Sequence, residues 1–307
     1  MELTLIPLVL AAAVRAGTPI AFAALGELVA ERSGVLNLGV EGMMLTGALA
    51  GFVVAQQTGQ PWVGVLAAAV AGMVLSLVHA VLTISLQANQ VVSGLALSIF
   101  GSGVTGFWGK RFIGVPADGF TTTAVTGLGG LPIIGPIFFQ HDALVYLAYA
   151  LIPGLWYILY RTYPGLQVRA AGESPASADA MGVEVTAVRY RCVAIGGVAA
   201  GLGGAYLSLA YTHIWIENMT AGRGWIAVAM VIFGTWDPWR TALGAYLFGG
   251  VQAMQLRLQA AGVAVPTHLL MMTPYLFTIV ALVLASRDTT RRRLGAPAAL
   301  ATPYVRE

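Results

Sequence analysis

Residues 165–191, GLQVRAAGESPASADAMGVEVTAVRYR, form the longest polar stretch in the second half of a chain that is otherwise almost continuously apolar. Within this stretch, Ser174 and Pro175 are followed by an alanine-rich run that ends before Gly182. A serine before a helix, a proline in its first turn and a glycine after its end together predict a short helix. We interpret this helix as the point through which a partner outside the membrane moves the spans. The alternative is an ordinary loop between two spans.

The composition is that of a helical membrane protein. Hydrophobic residues make up 58% of the 307 residues, charged residues make up 9%, and the mean hydropathy is +0.79. A soluble domain carries about 25% charged residues, and several stretches here reach the ~18 residues of a transmembrane helix. We therefore predict an all-α, polytopic transmembrane helical bundle with about eight to ten spans, surrounded by membrane lipid. A net charge of +3 gives no reason to expect nucleic-acid binding.

Nine candidate spans can be read from the apolar stretches of the chain. The first is interrupted by Arg15 and by Gly17-Thr18-Pro19. Because a charge at the bilayer centre costs several kcal/mol, this stretch could be a surface helix followed by a short span. The predicted spans are 3–30, 36–56, 62–86, 90–108, 143–160, 190–210, 223–236, 241–259 and 268–286.

Arginine and lysine in the short loops predict the orientation of the bundle. Five arginines follow residue 286, and counting back through the spans puts Arg240, the 161–191 loop and Arg32 on the same side. We assign this side to the cytoplasm and the 109–142 loop to the outside. The predicted organisation is a transmembrane domain over 1–286, with a cytoplasmic loop at 161–189 and a cytoplasmic tail at 287–307. Residues 295–307 are expected to be disordered.

Two segments suggest that the bundle is built from two related halves joined around the 109–142 loop. In the first half, Glu31-Arg32-Ser33-Gly34 precedes VLNLGVEGMMLTGALAG (35–51). In the second half, residues 217–224, ENMTAGRG, precede WIAVAMVIFGTW (225–236). Glycine-interrupted apolar segments at matching places are typical of transporters built from a structural repeat.

Sequence motifs give no support to an enzyme. The four histidines lack metal-ligand spacing, and no stretch matches the GxxxxGK[ST] phosphate-binding loop or the GxSxG nucleophile motif. The chain is therefore not expected to hydrolyse ATP or to hold a metal or a cofactor.

Polar side chains inside predicted spans are the candidate functional residues, because each is costly in lipid. Asn37 and Glu41 are four residues apart, so that a helix would place them on one face. We interpret Asn37 and Glu41 as part of a translocation path or its gate. The alternative is a structural ion pair with an arginine, for which Arg15 is the candidate.

Two further polar groups have alternative interpretations. Asn89, Gln90 and Ser93 open the fourth span, either as a helix cap with interhelical hydrogen bonds or as solute-facing groups. Glu217 and Asn218 lie at the predicted outer mouth of the second-half segment, where they either bind a polar solute or simply end a loop. Four tryptophans are typical of an interfacial belt, with stacking on a ring-shaped solute as the alternative: Trp215, Trp225, Trp236 and Trp239.

Several of these stretches together resemble one family over about residues 15–286. They are ERSGVLNLGVEGMMLTGALAGF (31–52), NQVVSGLALSIF (89–100), GLQVRAAGESPASADAMGV (165–183), GLGGAYLSL (201–209) and AGRGWIAVAMVIFGTWDPWRTALGAYLFGGVQAMQLRLQ (221–259). In the same order, they resemble the permeases of bacterial ABC importers of the branched-chain amino acid and simple-sugar class. The likeness is greatest to the nucleoside or simple-sugar subgroup, which works with a BMP-type lipoprotein.

The resemblance implies a multi-pass permease in the bacterial inner membrane that imports nucleosides or simple sugars. Its implied partners are an ABC ATPase subunit that binds ATP and Mg, a second and often different permease chain, and an extracytoplasmic solute-binding lipoprotein. The alternatives are the same machinery for branched-chain amino acids or another small polar solute, and a secondary transporter. A secondary transporter would need an ionisable relay inside the membrane, for which Glu27, Glu41 and Arg15 are the candidates.

The resemblance also implies that residues 172–182 are the cytoplasmic coupling region that docks on the ATPase. ATP binding would then move the docked helix and switch the spans from inward-open to outward-open. The residues assigned to this coupling are Arg169, Gly172, Glu173, Ser174, Pro175, Asp179, Met181 and Gly182.

Overall fold

A computed structural model describes residues 5–262, 265–287 and 295–306 of the chain. Nine helices correspond to the nine predicted spans, so the predicted helical bundle is confirmed. They are α1 (Leu5–Arg32), α2 (Val40–Thr58), α3 (Pro61–Ala80), α4 (Gln90–Gly109), α6 (Ala143–Arg161), α9 (Val185–Tyr206), α10 (Arg223–Phe233), α11 (Pro238–Ala260) and α12 (Thr267–Arg287). Among the described residues, five helical stretches are long and apolar enough to cross a membrane by length and composition, namely Pro7–Arg32, Pro61–Ser85, Gln90–Phe112, Ala143–Arg161 and Val185–Tyr211.

Shorter elements connect these helices. Helix α5 (Ile134–Phe138) and a two-stranded antiparallel pair, β1 (Thr123–Ala124) with β2 (Gln140–His141), lie in the 110–142 connection. Helices α7 (Tyr163–Glu173) and α8 (Pro175–Ala180) lie between α6 and α9. Single π-helical turns extend α3 over Val81–Ser85 and α9 over Leu207–Tyr211.

The predicted interruption of the first span is wrong, because α1 is one continuous helix of 28 residues. Gly17 is a packing site rather than a break, since a Cβ built on Gly249 of α11 would collide with the backbone nitrogen of Gly17. Pro19 lies inside the helix, and the Thr18 hydroxyl donates a 2.8 Å hydrogen bond to the Val14 carbonyl. Tight packing on α9 and α11 holds this stretch helical despite the proline.

The packing of the helices supports the predicted two-half organisation. Helix α1 packs along α11 and α9, while α9 packs along α3 and α1. Gly249 of α11 fits against Ala13 and Gly17 of α1, and Gly72 of α3 fits in the same way against Gly197 and Gly201 of α9. The sequences at these contacts, AVRAG (13–17) and GVAAG (197–201), match at three of five positions. Exchanging α1 with α9, α2 with α10, α3 with α11 and α4 with α12 therefore preserves the main contacts.

The bundle has two ends, which we name by what covers them. The loop face is formed by residues 110–142 and 212–218, which meet through β-bridges from Ile113 to Trp215 and from Pro116 to Ile214. The tail face is formed by α7, α8 and residues 295–306. Helix α6 runs from the loop face to the tail face.

The C-terminal residues 295–306 are ordered against the tail face, so the expectation of disorder is wrong. The backbone nitrogen of Ala299 donates to the Gly172 carbonyl at 2.9 Å, and that of Ala301 donates to the Gly34 carbonyl at 3.1 Å. Hydrogen bonds to backbone carbonyls, together with packing of Ala296 and Leu300 against the core, hold this segment in place. Residues 288–294, part of the predicted tail, lie outside the described residues.

The tryptophan belt is only partly present. Trp215 and Trp236 are buried, with 1% and 3% of their surface exposed, whereas Trp225 and Trp239 are about half exposed. The Trp236 indole nitrogen donates a 2.5 Å hydrogen bond to the buried Glu31 carboxylate. The belt prediction is therefore wrong for Trp215 and Trp236.

Candidate functional site

Two non-helical segments lead into the bundle, one in each half. Residues 33–39 lead into α2, and residues 212–222 lead into α10. In the first, Gln90 Oε1 accepts a 2.7 Å hydrogen bond from the Leu36 nitrogen, and Ser98 Oγ donates at 2.8 Å to the Leu38 carbonyl. Irregular backbone inside a membrane is tolerated where protein groups satisfy it, and such segments often line a solute site.

The second segment ends deep inside the bundle. Helix α10 begins at Arg223 and ends at Phe233. Its end lies at the tail face, because Thr235, two residues further on, contacts Gly295 of the C-terminal segment. Eleven residues of α-helix span about 16 Å, roughly half of a ~30 Å hydrocarbon core. The first turn of α10 therefore lies near the middle depth of the bundle.

Glu41, in the first turn of α2, binds the N-terminal end of α10. Its carboxylate accepts hydrogen bonds from Thr220 Oγ1 at 2.5 Å, from the Gly222 nitrogen at 2.8 Å and from the Gly224 nitrogen at 2.7 Å. These backbone groups would otherwise be unsatisfied, because the first amides of a helix have no intrahelical acceptor. Any side chain at Gly224 would meet the Glu41 backbone at 2.5 Å, so the close approach requires glycine there.

A cavity of about 1070 Å³ opens beside this contact, between α2, α4, α10 and α12. Most of its lining is apolar, and the half-exposed rings of Trp225 and Tyr275 form part of its wall. The Tyr275 hydroxyl donates to the Ala221 carbonyl at 3.3 Å. The polar residues along the wall are Glu41, Ser98, Ser102, Asn218, Tyr275 and Thr278.

Some of the predicted site residues line the cavity, and others bind the backbone beside it. Glu41 and Asn218 line the cavity, whereas Asn37 does not. Because α2 begins only at Val40, the predicted shared helix face of Asn37 and Glu41 is wrong. Instead, Asn37 Oδ1 accepts a 2.9 Å hydrogen bond from the Gly39 backbone nitrogen. The backbone nitrogen of Asn37 donates a 2.7 Å hydrogen bond to Glu27 Oε1. Asn37 thus shapes the non-helical segment.

The residues that open α4 follow the helix-cap interpretation. Asn89 Oδ1 accepts from the Val92 nitrogen at 3.1 Å, and Ser93 Oγ pairs with the ring of His79 at 3.0 Å. Gln90 binds the Leu36 nitrogen, as described above. Glu217 is exposed and lies near Gly106 of α4, outside the cavity lining.

The structural pairing of Glu41 with Arg15 is not observed. Arg15 lies within electrostatic range of His141, near the loop face. Trp225 was assigned to the belt, and Tyr275 and Thr278 were missed by the sequence interpretation. The sequence did contain a signal for these two residues: both carry hydroxyl groups within the last apolar span, where polar atoms are costly.

Comparison with known proteins decides the class. The family described as "Branched-chain amino acid transport system / permease component" matches residues 9–284. The chain belongs to this permease family.

The permease is similar to three named proteins over most of its length. It is 46% identical to the putative glucose ABC transporter permease protein TsgC13 of Haloferax volcanii, over 96% of this chain and 97% of that protein. It is 35% identical to the guanosine ABC transporter permease protein NupQ of Bacillus subtilis, over 94% and 93% of the two chains. It is 34% identical to the nucleoside ABC transporter permease protein NupC of Lactococcus lactis, over 87% and 88%. It is a permease subunit of an ABC transporter.

The polar stretch at 165–191 holds most of α7, all of α8 and the start of α9, rather than one short helix. Thr162 caps α7 through a 3.3 Å bond from the Gly165 nitrogen. Helix α8 has the predicted position, with Ser174 at its N-cap and Gly182 beyond its end at a φ of +84°. The Ser174 hydroxyl, however, donates to Ser177 Oγ at 2.8 Å rather than capping the backbone.

Only some of the residues assigned to ATPase coupling are exposed at the surface of the permease. Gly172 is buried against the Arg32 carbonyl, and the Arg169 guanidinium lies over the Tyr160 ring at 5.4 Å. Asp179 binds Tyr304 and Arg306 of the C-terminal segment. Met181 is 84% exposed, and Glu173 and Ser174 are also exposed while Pro175 is half-buried. The assigned residues that are exposed to a partner are therefore Glu173, Ser174, Met181 and Gly182.

Proposed function

We propose that this permease forms part of the pathway of an ATP-driven importer of nucleosides or simple sugars. Its partners are an ABC ATPase subunit, a second permease chain that is a paralogue of this one, and an extracytoplasmic solute-binding lipoprotein. ATP and Mg bind to the ATPase rather than to this chain. The named relatives support this proposal, since they are glucose, guanosine and nucleoside permeases by name.

The observation that carries the proposal is the cavity beside Glu41. The solute path runs past Glu41 and Asn218, while Asn37, Gln90 and Ser93 support the adjacent non-helical segment and Asn89 caps α4. Glu217 lies at the mouth. The tail face is cytoplasmic, and the loop face receives the binding protein.

The lining of the cavity favours a nucleoside over a hexose. A hexose carries hydroxyls around its whole ring, and each buried hydroxyl without a partner costs about 1–3 kcal/mol. The wall offers few polar groups and two half-exposed aromatic rings, Trp225 and Tyr275. A nucleoside presents a flat base for such rings and only a ribose for the polar groups.

The contacts of Glu41 argue against a relay through Glu41 and Arg15, two of the three candidates for a secondary transporter. A relay needs neighbouring ionisable groups that exchange protons or ions. Both oxygens of Glu41 are occupied by donors of residues 220–224, and Arg15 lies near the loop face.

ATP hydrolysis by the reconstituted assembly tests the proposal. The permease is combined with the ATPase, second permease and binding protein encoded beside it, and the binding protein is loaded in turn with a nucleoside, a pentose or leucine. We expect the nucleoside-loaded protein to stimulate hydrolysis most. Stimulation by leucine alone would overturn the solute assignment, and uptake without any ATPase would overturn the ABC mechanism.

The coupling assignment is tested separately with Met181→Asp. A charge at this exposed apolar position should abolish co-purification of the ATPase, because it disrupts an apolar contact. Leu86→Asp is the matched control, since Leu86 is also exposed, at 68%, but lies outside α7 and α8. Retention of the ATPase by Met181→Asp would overturn the assignment.

A further inference from the structure

Residues 295–306 form an ordered segment on the tail face, which we call the C-terminal strap. The strap binds the end of α7 through the bond from Ala299 to the Gly172 carbonyl, and it binds the start of the first non-helical segment through the bond from Ala301 to the Gly34 carbonyl. Ala299 is buried, with 8% of its surface exposed. The strap thus joins the coupling region to the segment that leads to Glu41.

The strap also holds α8 through one carboxylate oxygen. The Tyr304 hydroxyl donates to Asp179 Oδ2 at 2.9 Å, and Arg306 Nε lies 3.1 Å from the same oxygen. The Asp179 side chain is only 17% exposed, whereas that of Arg306 is 74% exposed. Asp179 therefore binds inside the permease and does not present its charge to a partner.

A buried arginine continues the connection into the bundle. Arg189 of α9 is 2% exposed, and it donates through Nε to the Ser33 carbonyl at 3.1 Å and through Nη1 to the Thr302 carbonyl at 3.2 Å. One side chain therefore holds the strap and the first non-helical segment at a fixed separation.

The strap reaches the second half of the bundle as well. Gly295 lies against Thr235, in the turn that follows α10, and a Cβ at this glycine would meet the Thr235 carbonyl at 3.0 Å. Helix α10 carries the Glu41 contact at its other end. The strap is consequently in contact with α8, with the start of the first non-helical segment at Gly34, and with the turn after α10 at Thr235.

We propose that the C-terminal strap, held by Asp179, carries displacement of α8 to the two non-helical segments beside the cavity. Asp179, Tyr304 and Arg306 are positioning residues, because none of them touches the solute or lines the cavity. This inference rests on the proposed role of α8 in docking the ATPase. It assigns to Asp179 a role inside the permease in place of direct contact with the ATPase.

The proposal is tested by charge reversal in the full assembly, with three readouts: ATPase co-purification, basal ATP hydrolysis, and uptake per ATP hydrolysed. Asp179→Arg removes both contacts of the carboxylate. We expect co-purification and basal hydrolysis to remain and uptake per ATP to fall about fivefold, as the loss of one or two net hydrogen bonds would give. Combining Asp179→Arg with Arg306→Asp should restore much of the uptake.

Val305→Ala is the matched control, because Val305 lies between the two strap residues and is 58% exposed. Unchanged uptake in Asp179→Arg would overturn the proposal while leaving α8 as the docking site. Joint loss of uptake and ATPase, without rescue by the double variant, would show docking or folding instead and would also overturn it. If Met181→Asp retains the ATPase, the docking role itself fails and the strap proposal fails with it.

Discussion

Glu41 Oε2 accepts a 2.7 Å hydrogen bond from the backbone nitrogen of Gly224, a residue 183 positions further along the chain. The bond joins the first turn of α2 to the first turn of α10. These two helices belong to different halves of the bundle. Their ends are therefore fixed to one another at the edge of the cavity.

Replacing Glu41 with glutamine should reduce uptake about tenfold or more. The amide NH₂ group would face a backbone N–H, so that at least one donor loses its acceptor at a cost of about 1–3 kcal/mol. Uptake per membrane-inserted permease measures the effect. Gln57→Ala, at the exposed far end of α2, should transport normally; equal uptake in the two variants would contradict the role of Glu41.

Trp225→Ala should raise the KM for nucleoside uptake by about threefold to tenfold, because an aromatic contact contributes about 0.5–1.5 kcal/mol beyond its area. Trp239→Ala is the matched control, since the two indoles are 50% and 52% exposed but Trp239 does not line the cavity. KM values are measured with solute-loaded binding protein. The same KM in both variants would contradict a solute contact for Trp225 and favour its assignment to the interfacial belt.

Gly204→Ala should lower the thermal stability of the purified permease. A Cβ at this position in α9 would collide with the Met44 carbonyl of α2 and approach the Ala48 nitrogen at 2.7 Å. Overpacking of this kind costs about 1–3 kcal/mol. The melting temperature in detergent is the readout, and Gly154→Ala, where no heavy atom lies within 4 Å, should leave it unchanged or raise it.

Asp142→Ala should also destabilise the permease, by about 1 kcal/mol. Asp142 Oδ1 accepts from the nitrogens of Leu144 and Val145, at 3.0 and 3.2 Å, and so caps α6 at the loop face. Asp142→Asn keeps an acceptor and should retain most of the stability in the same melting experiment. Identical melting temperatures for the alanine variant and the unmodified permease would exclude the cap.

The helices were predictable because length and apolarity alone determine which stretches can span a membrane. The break before α2 was only partly predicted. The glycines indicated an interrupted segment, but they did not indicate that the helix starts after Asn37. It does so because Gln90 and Ser98, distant in sequence, satisfy the backbone of residues 36–38. Helix α7 was missed although Thr162 and Pro164 gave a start signal.

Contacts between distant backbone groups explain the remaining errors. Disorder was expected of the C-terminal strap because of its terminal position, whereas its order depends in part on carbonyls of Gly34 and Gly172 that no local pattern reveals. The partners of Glu41 lie 179 to 183 residues away. The sequence therefore indicated that Glu41 matters, whereas only the fold indicates what it binds.

The position of Glu41 also has an electrostatic consequence. The N-terminus of a helix carries about half a positive charge and attracts anions, and the start of α10 would be such a point beside the cavity. The Glu41 carboxylate already binds the Gly222 and Gly224 amides there, so a phosphate entering the path would meet a negative group at this point. The pathway should therefore discriminate by charge: a nucleoside competes for uptake, and the corresponding nucleoside monophosphate does not.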